Sequence, residues 1–474
     1  MQQDRDVGIS TAAPRLKAGV LITGWHPEDP AFWGASGRHV ANRNLAISIP
    51  ALLLAFAIWM MFSAVTVSLP QIGFKFSTNQ LFWLTALPGF LGATLRIFYS
   101  FVVPLVGGRR WTAISTASLL IPSVWIGFAV QNPSTPYWQF VAIAVLCGLG
   151  GGNFASSMSN ISFFFPRAKQ GYALGMNAGL GNVGVSVTQF VIPLVISVGI
   201  FGPLLGGPQL TTDGHQLYLQ NGGFVWVSFI ILYSIAAWFG MNDLTAARSS
   251  FAEQASIFGR KHNWLMCWLY TGTFGSFIGF SAGFPLLIKT QFPDIHAMEY
   301  AFLGPLVGAL ARSGGGWLAD KVGGAALTFW VFLLMIVGVF GVLHFLPRHG
   351  EGGDFHGFMG CFMALFVLTG FGNASTFRMI PVIFRTLHER LASRLDDAGK
   401  QVATRQAGVE SAAVIGFSSA IAAYGAFFIP KSYGSSIAMT GGPEVALYGF
   451  IAFYFTCLVI TWWWYFRRGA EMPC

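Results

Sequence analysis

Residues 303–324 read LGPLVGALARSGGGWLADKVGG and place one arginine, Arg312, inside an apolar, glycine-rich run. Residues 87–108 read LPGFLGATLRIFYSFVVPLVGG and place Arg96 at the matching position, 216 residues earlier. The two stretches align without a gap, from the Gly-Ala pair before each arginine to the Val-Gly-Gly at the end. The chain therefore consists of two related halves, each of which carries one arginine at the same depth.

A second repeat lies upstream of each arginine. Phe56 and the tripeptide Phe62-Ser63-Ala64 recur at an offset of 218 residues as Phe274 and the tripeptide Phe280-Ser281-Ala282. The similar offset indicates that the whole segment before each arginine belongs to the repeat. An internal repeat of this kind in a helical membrane protein is typical of secondary transporters, whose binding site lies between the halves.

The composition places the chain in a membrane. Hydrophobic residues make up 54% and charged residues 9% of the chain, against about 25% charged in soluble domains, and the mean hydropathy is +0.60. The net charge of +9 does not indicate nucleic-acid binding, because the basic residues fall at the ends of apolar runs. The five cysteines form no C-x-x-C pair, so we expect no disulfide, no metal centre and no cofactor.

Twelve apolar runs are long enough to cross the bilayer as helices, which takes about 20 residues each. They cover approximately 45–68, 79–105, 111–131, 137–165, 172–200, 223–241, 264–288, 299–318, 325–346, 358–384, 407–430 and 444–466. The expected fold is an all-α integral membrane protein with twelve transmembrane helices in two pseudo-symmetric six-helix bundles. No cleavable signal precedes the first run.

The distribution of basic residues supports this topology. With the N-terminus inside, twenty of the 27 Lys and Arg residues fall in inner segments, and four fall in outer loops, as the positive-inside rule requires. Both termini are then cytoplasmic. The predicted division is a cytoplasmic N-terminal segment 1–44, a first bundle 45–241, a cytoplasmic linker 242–263, a second bundle 264–466 and a tail 467–474.

The two buried arginines predict an anion site. An arginine at the bilayer centre costs on the order of 3 kcal/mol. Arg96 is too far from either end of its span for its side chain to reach the headgroups, and Arg312 is too far from the N-terminal end of its span, although Asp320 and Lys321 follow soon after it. Glu410 is the one acidic residue expected inside a span. Two guanidinium groups that face one cavity without a carboxylate require an anion, and their planar fork suits an oxyanion.

The fourth and fifth spans add amides to this cavity. Their glycines alone are explained by close helix packing, but the amides between them need hydrogen-bond partners. These amides are Asn153, Asn160, Asn177, Asn182 and Gln189. The tenth span repeats a weaker form of the pattern at 370–375. Among the aromatic residues, Phe56 and Phe274 stand out because they repeat, and Tyr270 lies one turn before Phe274 on the same helical face.

The chain resembles the major facilitator superfamily and, within it, the NarK-type nitrate/nitrite porter family, over nearly its full length. Residues 314–323 resemble the superfamily's loop motif, which the first-half loop 106–110 matches without the aspartate. The fifth span resembles the nitrate signature. The resemblance implies that Arg96 and Arg312 hold the anion, that Asn182 and Tyr270 donate hydrogen bonds, and that Phe56, Phe154 and Phe274 pack around it, with Asn153, Gly416 and Ser419 as weaker candidates.

Two charged residues lie outside the family pattern. Arg378 in the tenth span and Glu410 in the eleventh are expected near the cytoplasmic side. One hypothesis is that they form a pair that latches the inner gate, and the alternative is that both reach the inner interface. If Glu410 faced the cavity, it could carry a proton.

The expected function is nitrate import in exchange for nitrite export, by alternating access in the bacterial inner membrane. The expected partners are nitrate, nitrite and the lipid bilayer, with no nucleic acid and with a functional monomer. The first alternative is nitrate/proton symport. A membrane enzyme would need histidines inside the spans, and a sensor would need a soluble domain; both are absent from the sequence. A channel is disfavoured by the two-half repeat.

Overall fold

The computed structural model describes residues 17–245, 256–347, 352–393 and 396–474. Five of the arginines in the charge count lie outside these ranges, namely Arg5, Arg15, Arg248, Arg348 and Arg394. Most of the predicted N-terminal segment is described from Lys17 onward, and the middle of the predicted linker is outside the described residues.

The first half contains ten helices in the part of the chain that the structure describes. They are α1 (Pro30–Phe32), α2 (Arg38–Trp59), α3 (Met61–Ser68), α4 (Thr78–Tyr99), α5 (Val102–Val106), α6 (Gly108–Ala117), α7 (Leu120–Ala129), α8 (Tyr137–Phe164), α9 (Arg167–Ile196) and α10 (Asn221–Gly240). A π-helical turn, Trp33–Gly37, joins α1 to α2. The first helix thus begins at Pro30, earlier than the predicted start of the first span.

The second half follows the same plan. Its helices within the described ranges are α11 (Lys261–Tyr270), α12 (Ser276–Gln291), α13 (Ala297–Tyr300), α14 (Leu303–Val322), α15 (Gly324–Phe345), α16 (Phe355–Leu391), α17 (Asp397–Ala423), α18 (Gly425–Thr440) and α19 (Glu444–Thr461). A π-helical turn, Thr271–Gly275, joins α11 to α12, and another, Trp462–Phe466, extends α19.

Eleven of the twelve predicted spans are long and apolar enough to cross a membrane within the described residues. The twelfth is α14, a regular helix of 20 residues that includes Arg312, Asp320 and Lys321. These charges make α14 less apolar than the other spans, although its length suffices to cross the hydrocarbon. The all-α membrane fold with two six-helix halves is confirmed.

Residues at the helix ends fix where the spans begin and turn. Ser77 caps α4 in a capping box with Gln80, and Asp354 caps α16 by accepting two backbone N–H bonds. Gly107 and Gly323 end α5 and α14 with φ angles of 95° and 97°, a backbone conformation that favours glycine. The repeat therefore extends to the turn that follows each arginine helix.

Both described chain ends lie on one face of the molecule, which we call the terminal face. There β1 (Leu21–Ile22) pairs in parallel with β4 (Asp243–Leu244), in the register Leu21 to Asp243. The carbonyl of Cys474 accepts a hydrogen bond from the Ala325 N–H at the start of α15. On the opposite face, β2 (Gln209–Leu210) and β3 (Gln216–Leu217) form a short antiparallel hairpin.

Glycines bring the arginine helices close to their neighbours in both halves. A Cβ at Gly92 on α4 would lie 3.1 Å from the Cα of Gly151 on α8. In the second half, a Cβ at Gly370 on α16 would clash with the carbonyl of Gly308 on α14 and lie 2.9 Å from the Arg312 nitrogen. Each arginine therefore sits one turn beyond a glycine contact that only a residue without a side chain permits.

The two halves contact each other between the level of the arginines and the opposite face. The side-chain amide of Gln189 on α9 donates 3.0 Å to the Ser63 hydroxyl and 2.7 Å to the Ser281 carbonyl of the second half. Gly89 on α4 packs against the backbone of Ala426 on α18. Further contacts are Thr94 with Tyr424, Phe82 with Tyr433, Phe190 with Phe302 and Lys431 with Asn79.

Towards the terminal face, positions on the facing helices have free space instead. No heavy atom would lie within 4 Å of a Cβ added at Gly175 of α9, Gly314 of α14 or Gly408 of α17, among the neighbours that the structure describes. The halves are thus closed against each other near the opposite face and separated near the terminal face.

Candidate anion-binding site

Arg96 is fully buried on α4, and backbone carbonyls from both halves fix its guanidinium group. Its Nε donates 3.1 Å to the carbonyl of Gly151 on α8, and its Nη1 donates 3.1 Å to the carbonyl of Ser419 on α17. Its Nη2 has no hydrogen-bond partner within the described ranges. One edge of the guanidinium group is therefore oriented by the protein, and a donor remains for a ligand.

Arg312 occupies the equivalent place in the second half, on α14. Its guanidinium carbon lies 5.2 Å from the ring centre of Phe377 and 6.0 Å from that of Phe274. Its Nη1 is buried and has no partner among the residues that the structure describes. Neither Arg312 nor Arg96 forms a salt bridge in those ranges, so both positive charges are available to an anion.

Aromatic rings join the two arginines. Phe274 lies under both, with its ring centre 5.4 Å from the guanidinium carbon of Arg96. Phe154 lies 4.7 Å from the same carbon and stacks on Phe274 with 6.4 Å between ring centres. Phe56 meets Phe154 edge to face at 6.1 Å. All three rings are at most 2% exposed, so they exclude water and strengthen electrostatic attraction at the guanidinium groups.

Tyr270 is the polar member of this ring stack. Its ring lies parallel to that of Phe274 at 5.3 Å, because the two residues are one turn apart on α11 and the following π-helical turn. Its ring also contacts Phe377, which packs on Arg312, and its buried hydroxyl has no partner of normal hydrogen-bond geometry in the described part of the chain. The hydroxyl can therefore donate to an oxyanion between the arginines.

Asn182 on α9 is fully buried, and neither atom of its amide has a partner within the described residues. Gly181 and Gly184 beside it pack against Leu52 and Phe56 of α2, and Gly179, three residues before it, faces the Ser313 hydroxyl next to Arg312. Buried amides are almost always hydrogen-bonded. An unpaired one on a helix that packs against Phe56 and approaches Ser313, the neighbour of Arg312, is suited to complete the hydrogen-bond shell of an anion.

Comparisons with known proteins agree with this fold. The profile of the Major Facilitator Superfamily matches residues 51–394, and the matched segment includes α4, α9 and α14. The chain belongs to the major facilitator superfamily. The expected membership is therefore confirmed.

Relatives within the superfamily match almost the whole chain. The nitrate/nitrite transporter NarU of Escherichia coli strain K12 is 53% identical over 94% of this chain and 96% of its own length. The probable nitrate/nitrite antiporter NarK2 of Thermus thermophilus is 42% identical over 96% of this chain and 99% of its own. The chain thus groups with the NarK-type members of the superfamily, as the sequence resemblance indicates.

Solved structures of the superfamily share the fold. A bacterial homolog of the human lysosomal transporter Spinster, in an inward-facing and occupied conformation, superposes with a TM-score of 0.57 at 12% identity. The superposition covers 87% of this chain and 94% of that one. At this identity the likeness concerns the fold alone.

The three weaker candidates for the anion site, Asn153, Gly416 and Ser419, differ in what they contribute to it. Ser419 contacts Arg96 through its carbonyl, whereas its hydroxyl donates within its own helix to the Gly416 carbonyl at 2.8 Å. Gly416 has free space around it in the described structure, which leaves room next to Arg96. Asn153 is buried beside Phe154 with an unpaired side-chain oxygen, counting partners in the described ranges.

The predicted pairing of Arg378 with Glu410 is wrong in this conformation, because each has another partner. Arg378 forms a salt bridge with Asp320 at the end of α14. Glu410 accepts hydrogen bonds of 3.0 and 2.8 Å from Arg260 and lies 3.1 Å from His388 Nε2. The bond to Glu410 raises the pKa of Arg260. Arg378 and Asp320 lie in the second bundle, and Glu410 binds Arg260 in the linker that precedes it, so neither pair reaches the first bundle.

Two residues at the site were missed by the sequence interpretation. Trp59 lies 5.2 Å from the Arg96 guanidinium carbon and donates from its indole to the Pro88 carbonyl. Phe377 packs on Arg312 and on Tyr270. Helical spacing was the available signal, since Trp59 follows Phe56 by three residues on the same helix.

Proposed function

We propose that this protein is a carrier that imports nitrate in exchange for nitrite. The observation that carries the proposal is the pair Arg96 and Arg312, two guanidinium groups on equivalent helices that share the Phe274 ring and form no salt bridge in the described residues. The names of NarU and NarK2 support nitrate and nitrite as the anions.

Each residue has a role in this proposal. Arg96 and Arg312 bind the oxygens of the anion through paired N–H donors, which the planar guanidinium fork favours. Asn182 and Tyr270 donate further hydrogen bonds. Phe56, Phe154 and Phe274 hold a flat anion between ring faces and edges, whose edges carry partial positive charge.

Exchange follows from the charge of the site. Closing a site that contains two unpaired guanidinium groups removes both from water, which is costly. A bound anion offsets that cost, so the loaded carrier changes conformation faster than the empty one. Nitrate and nitrite carry the same charge and both fit the fork, and each turn of the cycle then moves one anion in each direction.

The contacts between halves support alternating access. Closure near the opposite face and separation near the terminal face correspond to an inward-facing carrier, provided that the terminal face is cytoplasmic. The positive-inside distribution supports this orientation, with both termini in the cytoplasm of a bacterial cell and the carrier in the inner membrane. We also propose that one chain suffices for transport, with bundles 45–241 and 264–466 joined by the linker 242–263.

The surroundings of Glu410 favour exchange over proton symport. Glu410 is 5% exposed and is held by Arg260 and His388, away from the two arginines. A carboxylate bound in this way is stabilised in its charged form and is poorly suited to load a proton in each cycle. We infer that Glu410 and Arg378 stabilise the packing of helices near the terminal face, each through its own partner.

Counterflow in proteoliposomes tests the proposed function. Vesicles with internal nitrite, or with no permeant anion, receive external nitrate, and the pH gradient is varied independently. The expected result is nitrate uptake that requires internal nitrite and does not respond to the pH gradient. Uptake into anion-free vesicles that is driven by an inward proton gradient would establish symport instead.

A further inference from the structure

We propose that Asn373 on α16 is a substrate-positioning residue, whose side-chain N–H donates to the transported oxyanion from the Arg312 side. The proposal rests on the proposed nitrate/nitrite exchange. It adds an amide from the second half to the Asn182 amide of the first, so that each half contributes one arginine and one amide to the anion.

The neighbours of Asn373 on α16 place it beside the site. Three residues earlier, Gly370 packs against the Arg312 backbone, and four residues later, Phe377 covers the Arg312 guanidinium group at 5.2 Å. Three residues later, the Thr376 hydroxyl lies 3.3 Å from that of Thr273, which precedes Phe274. Successive residues turn by about 100° around a helix, so the Asn373 side chain projects between the side directed at Arg312 and the side directed at Thr273.

The state of the Asn373 amide is the second observation. The residue is 1% exposed, and neither its Nδ2 nor its Oδ1 has a hydrogen-bond partner in the described ranges. An unpaired buried amide destabilises the fold, so a purely structural role does not account for it. Phe377, one turn after Asn373, contacts both Arg312 and Tyr270, whose Nη1 and hydroxyl are also unpaired within the described residues. The Oδ1 can accept from one of them while the Nδ2 donates to the anion.

The second amide has a consequence for specificity. Nitrate offers three oxygens to hydrogen-bond donors, and nitrite offers two oxygens and a nitrogen lone pair. Two guanidinium groups and one amide supply enough donors for the two oxygens of nitrite. The third oxygen of nitrate can accept a hydrogen bond from a further donor. Asn373 therefore favours nitrate over nitrite.

The first test is Asn373→Leu, which keeps approximate size and removes both polar atoms. The wild type and the variant are compared in full-length form, in the counterflow assay, with nitrate and nitrite as alternative external anions. We expect the KM for nitrate to rise about tenfold or more, the effect of one hydrogen bond to a charged group, and the KM for nitrite to rise less. Thermal stability in detergent is expected to stay equal or increase, since an unpaired polar group is removed.

Ser375→Ala is the matched control on the same helix. The Ser375 hydroxyl is buried and lies 2.7 Å from that of Thr328 on α15, on a side of α16 away from Arg312. Its loss should lower the thermal stability and leave the ratio of the two KM values unchanged. Asn373→Asp provides a second test, because it preserves the shape of the side chain but places a negative charge where the anion needs a hydrogen-bond donor. It should strongly weaken the binding of both nitrate and nitrite.

The outcomes separate this inference from the proposed function. If the wild type exchanges nitrate for nitrite and Asn373→Leu retains the wild-type KM values, or raises both equally with lower stability, Asn373 does not position the anion. If the wild type shows no nitrate/nitrite exchange, the proposed function fails, and this inference fails with it.

Discussion

At the scale of single residues, Arg96 is held by main-chain carbonyl oxygens, which no side-chain substitution removes. Its Nε and Nη1 donate to the carbonyls of Gly151 and Ser419, which belong to different halves of the chain. The guanidinium group thus contacts both halves and still has a free donor. When the halves move apart at this level, the bond to Ser419 has to break or be replaced by a bond to the anion.

Arg96→Lys should severely reduce transport although the charge is kept. A lysine ammonium group cannot bond both carbonyls and also present a second N–H to the anion in a fixed plane. The loss of one hydrogen bond to a charged group, about 1.5–3 kcal/mol, corresponds to a loss of about 10- to 100-fold in anion affinity. Counterflow rates over a range of nitrate concentrations measure this. Arg110→Lys, at a largely exposed arginine, is the control, and wild-type rates in Arg96→Lys would contradict the proposed clamp.

Glu410→Gln should leave exchange intact and reduce stability. The carboxylate binds Arg260 and lies beside His388, so its neutralisation leaves the arginine without its partner. We expect nitrate/nitrite exchange that remains independent of the pH gradient, with a lower temperature of unfolding. The double variant Glu410→Gln/Arg260→Gln should recover part of the lost stability. A selective loss of proton-driven uptake in Glu410→Gln would support symport.

The sequence predicted residues whose chemistry is conspicuous in a membrane. Charge marked Arg96 and Arg312, and the repeat marked Phe56 and Phe274. Tyr270 could be chosen because it lies one turn before Phe274, and Phe154 only through the family resemblance. The partners of Glu410 could not be predicted, because Arg260 and His388 lie 150 and 22 residues away and reach it only after the helix ends have packed together. Among 46 phenylalanines, no local pattern distinguished Phe377.

At the scale of helices, the contact between α4 and α8 determines where Arg96 lies. The pair Gly92 and Gly151 allows the two backbones to touch, and Trp59 covers both glycines from α2. The Gly151 carbonyl is then near enough to accept from the Arg96 Nε. A glycine contact one turn before the arginine recurs in the second half, and for this reason the two arginines reach the same depth.

Gly92→Ala should disturb this contact. The added methyl would lie 2.6 Å from the Trp59 indole nitrogen, and overpacking of this kind costs about 1–3 kcal/mol. We expect a lower unfolding temperature and weaker nitrate transport, since α4 carries Arg96 away from Gly151. Gly449→Ala on α19, where no heavy atom lies within 4 Å in the described structure, is the control. Equal stability of the two variants would contradict the account.

The helices could be predicted closely, while the irregular turns within them could not. The lengths of the apolar runs predicted all twelve spans, including α14 with its three charged residues. The π-helical turn Thr271–Gly275, which follows Tyr270 and contains Phe274, has no signature in a single sequence. Nor do the extensions of α16 and α17 beyond the predicted spans, because helix length outside the hydrocarbon is set by capping groups such as Asp396 and not by apolarity.

At the scale of the whole molecule, Gln189 connects the binding helix to the contact between halves. It lies seven residues after Asn182 on α9, so both face the same side of that helix. Its amide donates to Ser63 in its own half and to Ser281 in the other. These bonds exist while the opposite face is closed, and the bond to the Ser281 carbonyl has to break when that face opens.

Gln189→Met should shift the carrier towards opening at the opposite face. Methionine has a similar length but donates no hydrogen bond. The loss of the bond to the Ser281 carbonyl, about 0.5–1.5 kcal/mol, shifts the equilibrium about 2- to 10-fold. Spin labels at the exposed positions Lys75 and His296, one in each half, should report a larger population of long distances.

Gln131→Met is the control for this prediction. Within the described residues, Gln131 bonds only to Gly127 and Leu205, both in its own half. The distribution of spin-label distances in Gln131→Met should therefore match that of the wild type. An unchanged distribution in Gln189→Met would show that other contacts alone keep the halves closed.

Ser63 and Ser281 stand at the same position of the two repeats, yet Gln189 bonds to the hydroxyl of the first and to the main chain of the second. Descent from a duplicated ancestor supplies two matching serines, and a glutamine that occurs in one copy makes them unequal. Selection on this contact then acts on the side chain at position 63 but only on the backbone at position 281. We therefore expect position 281 to accept any residue that fits the helix, and position 63 to require a hydroxyl.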